Sequence, residues 1–233
     1  MEQGQLDNSI QTAQSVNKSK KISTGRPQRG RPLRLQCIHM KQPKKIVILC
    51  GHPDADTFTG GILDHYQMAA EEAGHEVKRF NIGAMQFDPI LHKGYKEIQH
   101  LEPDLITLRD AITECDHWVI GYPNWWTTMP ALLKGLFDRF WLPGFAFNFN
   151  KQTKKIEKHL AGKTARVYVL SGSHSPFKTW WQFGDYTNEI QYGILEFAGI
   201  KTKVTTYGPC ERVNDTCRNK WIKEVEKHGK NAV

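Results

Sequence analysis

Cysteine is sparse in this chain, and none of its five cysteines pairs with another at the C-x-x-C spacing of a zinc site or a redox dithiol. Cys37, Cys50, Cys115, Cys210 and Cys217 read as reduced thiols, so no metal is expected and the expected compartment is cytoplasmic. No run approaches the roughly 20 consecutive apolar residues of a membrane-spanning helix, and the N-terminus lacks the apolar core of a secretory signal. Neither membrane insertion nor secretion is expected. Gly-x-Gly-x-x-Gly and P-loop patterns are also missing, which disfavours a Rossmann-type dinucleotide fold and an NTPase.

Charge of one sign is plentiful, but only in one place. The net charge is +8, yet residues 1–45 hold ten of the 32 Lys and Arg against Glu2 and Asp7, leaving 22 basic and 22 acidic side chains in residues 46–233. The basic balance belongs to the tail. Residues 1–44 are polar with almost no apolar periodicity and are expected to be a disordered basic extension. Within them Arg29-Gly30-Arg31-Pro32 resembles a minor-groove hook, two arginines flanking a glycine. One copy of so short a motif does not carry a nucleic-acid reading, and no nucleic-acid partner is expected. Met40 stands where a chain of this type would naturally start, so the tail reads equally as an upstream extension or as a transit peptide.

With 39% apolar residues, the chain has enough material for one core, and residues 45–233 are expected to form one domain. From Lys45 onward, short β-branched runs alternate with helical segments, the pattern of a doubly wound parallel α/β sheet. The strands are expected at 46–50, 75–80, 118–121, 165–170 and 203–207, the first, third and fourth buried on both faces. Helices are expected near 58–73, 103–115, 130–141, 186–198 and 211–228. Gly74 and Gly199 fall at C-terminal caps, and Pro103 and Pro130 in first turns. Trp221, Ile222 and Val225 form the apolar side of the last helix.

In such a sheet a ligand binds beyond the carboxyl ends of the strands, where strand order reverses. The loop 51–61 leads from a strand into a helix N-terminus and offers amides and hydroxyls to an anion. Thr57 or Asp56 could equally be an ordinary helix cap there, and Asp54 and Asp56 are expected to face solvent. The loop 121–135 contains adjacent Trp125 and Trp126, which cannot both be core in extended chain. Such indoles suit either a planar ring or a subunit contact. The loop 171–177 has small side chains that let backbone approach a flat ring, and His174 is a weak candidate for catalysis beside its plainer reading as a surface residue. A phospho-receiver domain would need an acidic residue at the end of the third strand, where Tyr122 and Pro123 stand.

The run from Tyr122 through Arg139, continued by Pro143-Gly144-Phe145-Ala146-Phe147, resembles the NAD(P)H:quinone oxidoreductase (DT-diaphorase-like) family of flavodoxin-like proteins. Cys50-Gly51-His52-Pro53, Thr57-Phe58-Thr59, Asp88-Pro89-Ile90 and Gly193 to Gly199 support it. The resemblance implies a flavodoxin-like five-stranded sheet of order 2-1-3-4-5 with helices on both faces. It implies a flavin, FMN favoured over FAD, with NAD(P)H as electron donor and ping-pong hydride transfer to a quinone-like acceptor. It also implies that His52, Thr57, Phe58 and Thr59 hold the flavin phosphate. Pro123, Asn124, Trp125, Trp126 and Thr127, with Ser171, Gly172, Ser173 and His174, then line the ring. A homodimer is implied, with Phe147 and Phe149 walling the substrate pocket. These two phenylalanines, and Phe183, stand where long diaphorases carry tyrosines and a histidine, so the proton relay of those enzymes is not carried over. Resemblance to ancillary subunits of potassium-efflux systems makes a flavin-binding regulatory subunit the alternative.

Overall fold

The computed structural model describes residues 42–233. The expectations for the tail, including residues 29–32, Cys37 and Met40, lie outside the described residues. A five-stranded parallel sheet forms from β1 (Lys45–Cys50), β2 (Glu76–Asn81), β3 (His117–Pro123), β6 (Thr164–Leu170) and β7 (Lys201–Tyr207) in the order β2-β1-β3-β6-β7. Counted along the chain, the sheet's strands follow the expected 2-1-3-4-5 order, each end within two residues of its expected bound. β1, β3 and β6 are buried almost throughout, as their unbroken apolar runs require.

Each face of the sheet is covered by its own helices. On one side, Ile46, Ile48 and Val119 pack against Ile62, Leu63 and Tyr66 of α1 (Phe58–Glu72) and Val225 of α5 (Asp215–Asn231). On the other, Val47, Trp118 and Ile120 meet Leu105 and Leu108 of α2 (Pro103–Glu114), Leu136 and Phe137 of α3 (Ala131–Phe140) and Ile190 of the helix Glu189–Glu196. Gly74, at φ +85°, ends α1 in the left-handed conformation expected of it.

Four details differ from the sequence reading. The fourth expected helix, 186–198, is an eight-residue π-helix, Glu189–Glu196, whose wider turns a 3.6-residue periodicity does not anticipate. Pro130 is the N-cap of α3, so the helix starts one residue later than its proline implied. The last helix begins at Asp215, where Asn214 caps it, and runs to Asn231. A short hairpin, β4 (Phe147–Phe149) with β5 (Ile156–Lys158), and the two-turn α4 (Pro176–Phe183) occupy stretches read as loop.

One ion pair, its cation fully buried and its carboxylate partly exposed, ties the long 83–102 connection to the domain. Arg139, fully buried on α3, donates through Nη1 and Nη2 to the two carboxylate oxygens of Glu102 at 3.0 and 2.9 Å. The same two nitrogens also donate to the carbonyl oxygens of Asp88 and His100, while Nε is buried without a partner. Burial alone would raise the Glu102 carboxyl, but the guanidinium and backbone amides together outweigh it and hold that group below the usual carboxylate range.

Candidate active site

β1 is flanked by β2 and β3, and the segment after β1 (α1) covers one face while the segment after β3 (α3) covers the other. Strand order reverses there, and the carboxyl ends of β1, β3 and β6 open onto a cavity of about 730 Å³. That volume falls within the range of small-molecule pockets. Every residue assigned by motif to the flavin lines this one space: His52, Thr57, Phe58, Thr59, Pro123, Asn124, Trp125, Trp126, Thr127, Ser171, Gly172, Ser173 and His174.

The first end of the cavity is a helix N-terminus. Thr57 Oγ1 accepts from the Gly60 amide at 3.4 Å, and the Thr57 carbonyl accepts from Gly61 at 2.9 Å. Thr57 is thus both cap and lining residue, which joins the two readings the sequence left open. The first amides of α1, at Phe58 and Thr59, precede the helical bonding pattern and are the unpaired donors of a helix start. Gly60 is required here, because a Cβ on it would lie 1.8 Å from the Ala55 carbonyl oxygen. His52 Nδ1 accepts from the Asp54 amide at 2.9 Å, which leaves the imidazole proton on Nε2 as a further donor. Asp54 and Asp56 are exposed, as expected, so the donors face no carboxylate of this loop.

The second end is a tight turn. The amide and carbonyl of Trp125 exchange hydrogen bonds with those of Thr128 at 3.0 and 3.1 Å, and the two residues between are left-handed, Trp126 at φ +54° and Thr127 at φ +68°. Two successive non-glycine residues in that region cost on the order of 1–3 kcal/mol each, and a β-branched residue fits it worst. The geometry turns the tips of both indoles away from the core: Trp125 is 44% exposed and Trp126 97% exposed. Trp125 rests edge-on against His52, ring centroids 5.3 Å apart, which joins the two ends of the cavity.

The opposite wall is the loop after β6. Ser173 Oγ and His174 Nδ1 are 2.7 Å apart, and the His174 ring stands edge-on to Phe183 at 6.5 Å. Phe183 therefore lines the cavity, whereas Phe147 and Phe149 do not. Phe147 packs edge-on against Phe197 at 4.9 Å, and Phe149 is exposed at the hairpin. Within one chain, the pair assigned to the substrate pocket stands apart from it, because β4 leaves the sheet after α3.

Sequence reasoning missed Thr179, Cys210 and Glu211, which also line the space. The last two follow β7, whose carboxyl end faces the same edge; applying the strand-end rule to all five strands finds them. The Cys210 and Glu211 amides donate to the Ser171 and Gly172 carbonyls, tying the two loops together. Burial pushes the Cys210 thiol up to about 11, outweighing nearby Arg218, so it stays a neutral thiol at neutral pH.

The residues present fit a flavin. Asn124 Oδ1 is buried without a partner and awaits a donor, as a flat heterocycle's imide can supply. Gly172 leaves backbone bare on the wall; a Cβ there would begin 2.7 Å from Oε1 of Glu211, the movable end of a side chain that also lines the cavity. Helix amides at one end suit a phosphate, and indoles at the other suit an aromatic ring.

The chain belongs to the flavodoxin-like fold family, whose sequence pattern matches residues 44–226. Among its relatives is NAD(P)H dehydrogenase [quinone] 1 of Cavia porcellus, 25% identical over 198 residues that span 71% of this chain and 69% of that protein. A solved structure from Streptococcus mutans UA159 is 28% identical, with a TM-score of 0.68, covering 80% of this chain and 98% of its own. An FMN-dependent NADH-azoreductase from Bacillus anthracis, solved in complex with FMN, shares the fold at 17% identity and a TM-score of 0.62, covering 80% of this chain and 98% of its own.

Proposed function

We propose that the protein is a flavin-dependent NAD(P)H oxidoreductase that reduces quinones or related acceptors by ping-pong hydride transfer, with FMN as the favoured flavin. The observation that carries this reading is the gathering of helix amides, an indole pair and two left-handed amides around one 730 Å³ cavity at the sheet's switch point. When bound, the flavin supplies the hydride relay between donor and acceptor.

The chain's own residues bind, orient and stabilise. Phe58 and Thr59 amides with His52 Nε2 hold the phosphate. Asn124 Oδ1 orients the ring through its unpartnered lone pairs. The Trp126 and Thr127 amides donate to the ring's polar edge and favour the negative charge of its reduced form, in the manner of an oxyanion hole. His174, fixed by Ser173, is the candidate for holding a proton at the wall. Phe147 and Phe149 have no proton to give, so the remaining protons come from solvent.

A homodimer completes this reading. Trp126 on the turn after β3 and Phe177, Trp180, Trp181 and Phe183 on α4 are exposed aromatics of the kind that subunit contacts favour. Phe149, exposed on its hairpin, would wall the substrate slot of a second copy. The cytoplasm is the proposed compartment, and no helix among the described residues is long and apolar enough to cross a membrane. The guinea-pig and Bacillus relatives are named as enzymes, which favours turnover over the role of an ancillary transport subunit.

The test is to isolate the protein, identify its bound flavin by mass, and follow the two half-reactions separately. Absorbance at about 450 nm should bleach with NADH or NADPH and return on adding a quinone. Protein that bleaches but re-oxidises no faster with any quinone than with air would favour the ancillary role instead.

A further inference from the structure

The turn that presents Trp126 and Thr127 is tied to the rest of the domain by a residue 61 positions away. Thr128 Oγ1 donates to Glu189 Oε2 at 2.6 Å, bridging the loop after β3 to the first turn of the π-helix Glu189–Glu196. Other side-chain bonds of the turn stay within it, as Thr127 Oγ1 to the Trp126 carbonyl at 2.6 Å. Trp126 itself is almost wholly exposed and contributes no packing that would hold its backbone.

Two left-handed, non-glycine residues persist only where surrounding structure imposes them. The Trp125–Thr128 backbone pair closes the turn, and the Asn124 amide on the Leu170 carbonyl at 2.7 Å and the Trp125 edge on His52 anchor its entry, but neither anchor holds its exit at Thr128. A short hydrogen bond from hydroxyl to carboxylate does, and it is of the stronger, charge-assisted kind.

We infer that Glu189 is a positioning residue which, through Thr128, holds the Trp126 and Thr127 amides in their left-handed, ligand-facing conformation. It lies outside the cavity lining. The inference rests on the flavin reading for its consequence, but not for its geometry, so the two can fail separately.

The experiment compares Glu189→Ala, Glu189→Gln, Thr128→Val and the Glu189→Ala/Thr128→Val pair. In the flavin-free protein, strong intraresidue HN–Hα Overhauser effects at Trp126 and Thr127 report the left-handed backbone. They should be present in the wild type and Glu189→Gln, whose amide oxygen still accepts from Thr128, and weakened in the other three. FMN dissociation constants should rise about 10-fold in Glu189→Ala and in Thr128→Val, stay within about 3-fold in Glu189→Gln, and rise no further in the double variant. Unchanged Overhauser effects in Glu189→Ala, or additive losses in the double variant, would overturn the inference. A wild type that binds no flavin but shows the turn collapsing in Glu189→Ala would sink the flavin reading and leave the clamp standing.

Discussion

His117 shows how one side chain can set the acid limit of the fold. It lies at the start of β3, 1% exposed, with Nδ1 held 2.7 Å from Thr164 Oγ1 and Nε2 without a partner. Burial, helped by the nearby cations Lys44 and Arg166, pushes its imidazole down to about 3. His228 moves the same way, again chiefly through burial. The unfolded chain takes up a proton at about 6.5, whereas the native imidazole refuses it down to about 3, so stability falls as pH drops through that interval. The expected loss is on the order of a few kcal/mol, and its upper part, between about pH 6.5 and 5, precedes carboxylate titration. Urea unfolding at pH 7 and pH 5 measures it. His117→Asn should flatten that segment, and a wild-type stability that is level there would contradict the assignment. The burial of this histidine was not legible in the sequence, where it stood just before the expected third strand. By contrast, every residue that the motif resemblance assigned to a flavin lines the cavity, because these residues sit in the loops that leave the carboxyl ends of β1, β3 and β6.

At the scale of elements, the sheet and its main helices could be read from apolar periodicity alone, since β1, β3 and β6 are buried on both faces and have nothing polar to interrupt them. What periodicity could not reveal was α4, which exposes most of its aromatic side chains rather than burying one stripe, and the hairpin of β4 and β5, only three residues per strand. Nor could it find the tie between α3 and the 83–102 connection, because Arg139 and Glu102 are far apart in sequence and look like surface charges. Their pairing, with the guanidinium buried, makes a definite claim. Arg139→Met removes the guanidinium from Glu102 and from two carbonyls at once; because water can reach those partly exposed acceptors, it should cost about 1–3 kcal/mol in chemical unfolding. The 83–102 connection should also become the first site of proteolytic cleavage. A variant as stable as the wild type would show that the pair only breaks even with a well-packed apolar side chain.

For the whole molecule, the largest open question is what the exposed aromatics on α4 meet. If a second copy covers them, Trp181→Glu should convert a dimer to a monomer in sedimentation equilibrium while leaving the far-ultraviolet spectrum unchanged, because Trp181 is 76% exposed and supports no core. A wild type that sediments as a monomer would remove the dimer from this account.

The central claim is that the cavity at the carboxyl ends of β1, β3 and β6 holds a flavin against the bare backbone of Gly172. Titration of the flavin-free protein with FMN, followed by the quenching of flavin fluorescence, tests it most directly when Gly172→Leu is run alongside. The account predicts saturation at one FMN per wild-type chain, and loss of binding in Gly172→Leu with its melting temperature close to the wild type's. Wild-type protein that takes up neither FMN nor FAD, or a Gly172→Leu variant that binds FMN as well as the wild type, would contradict it.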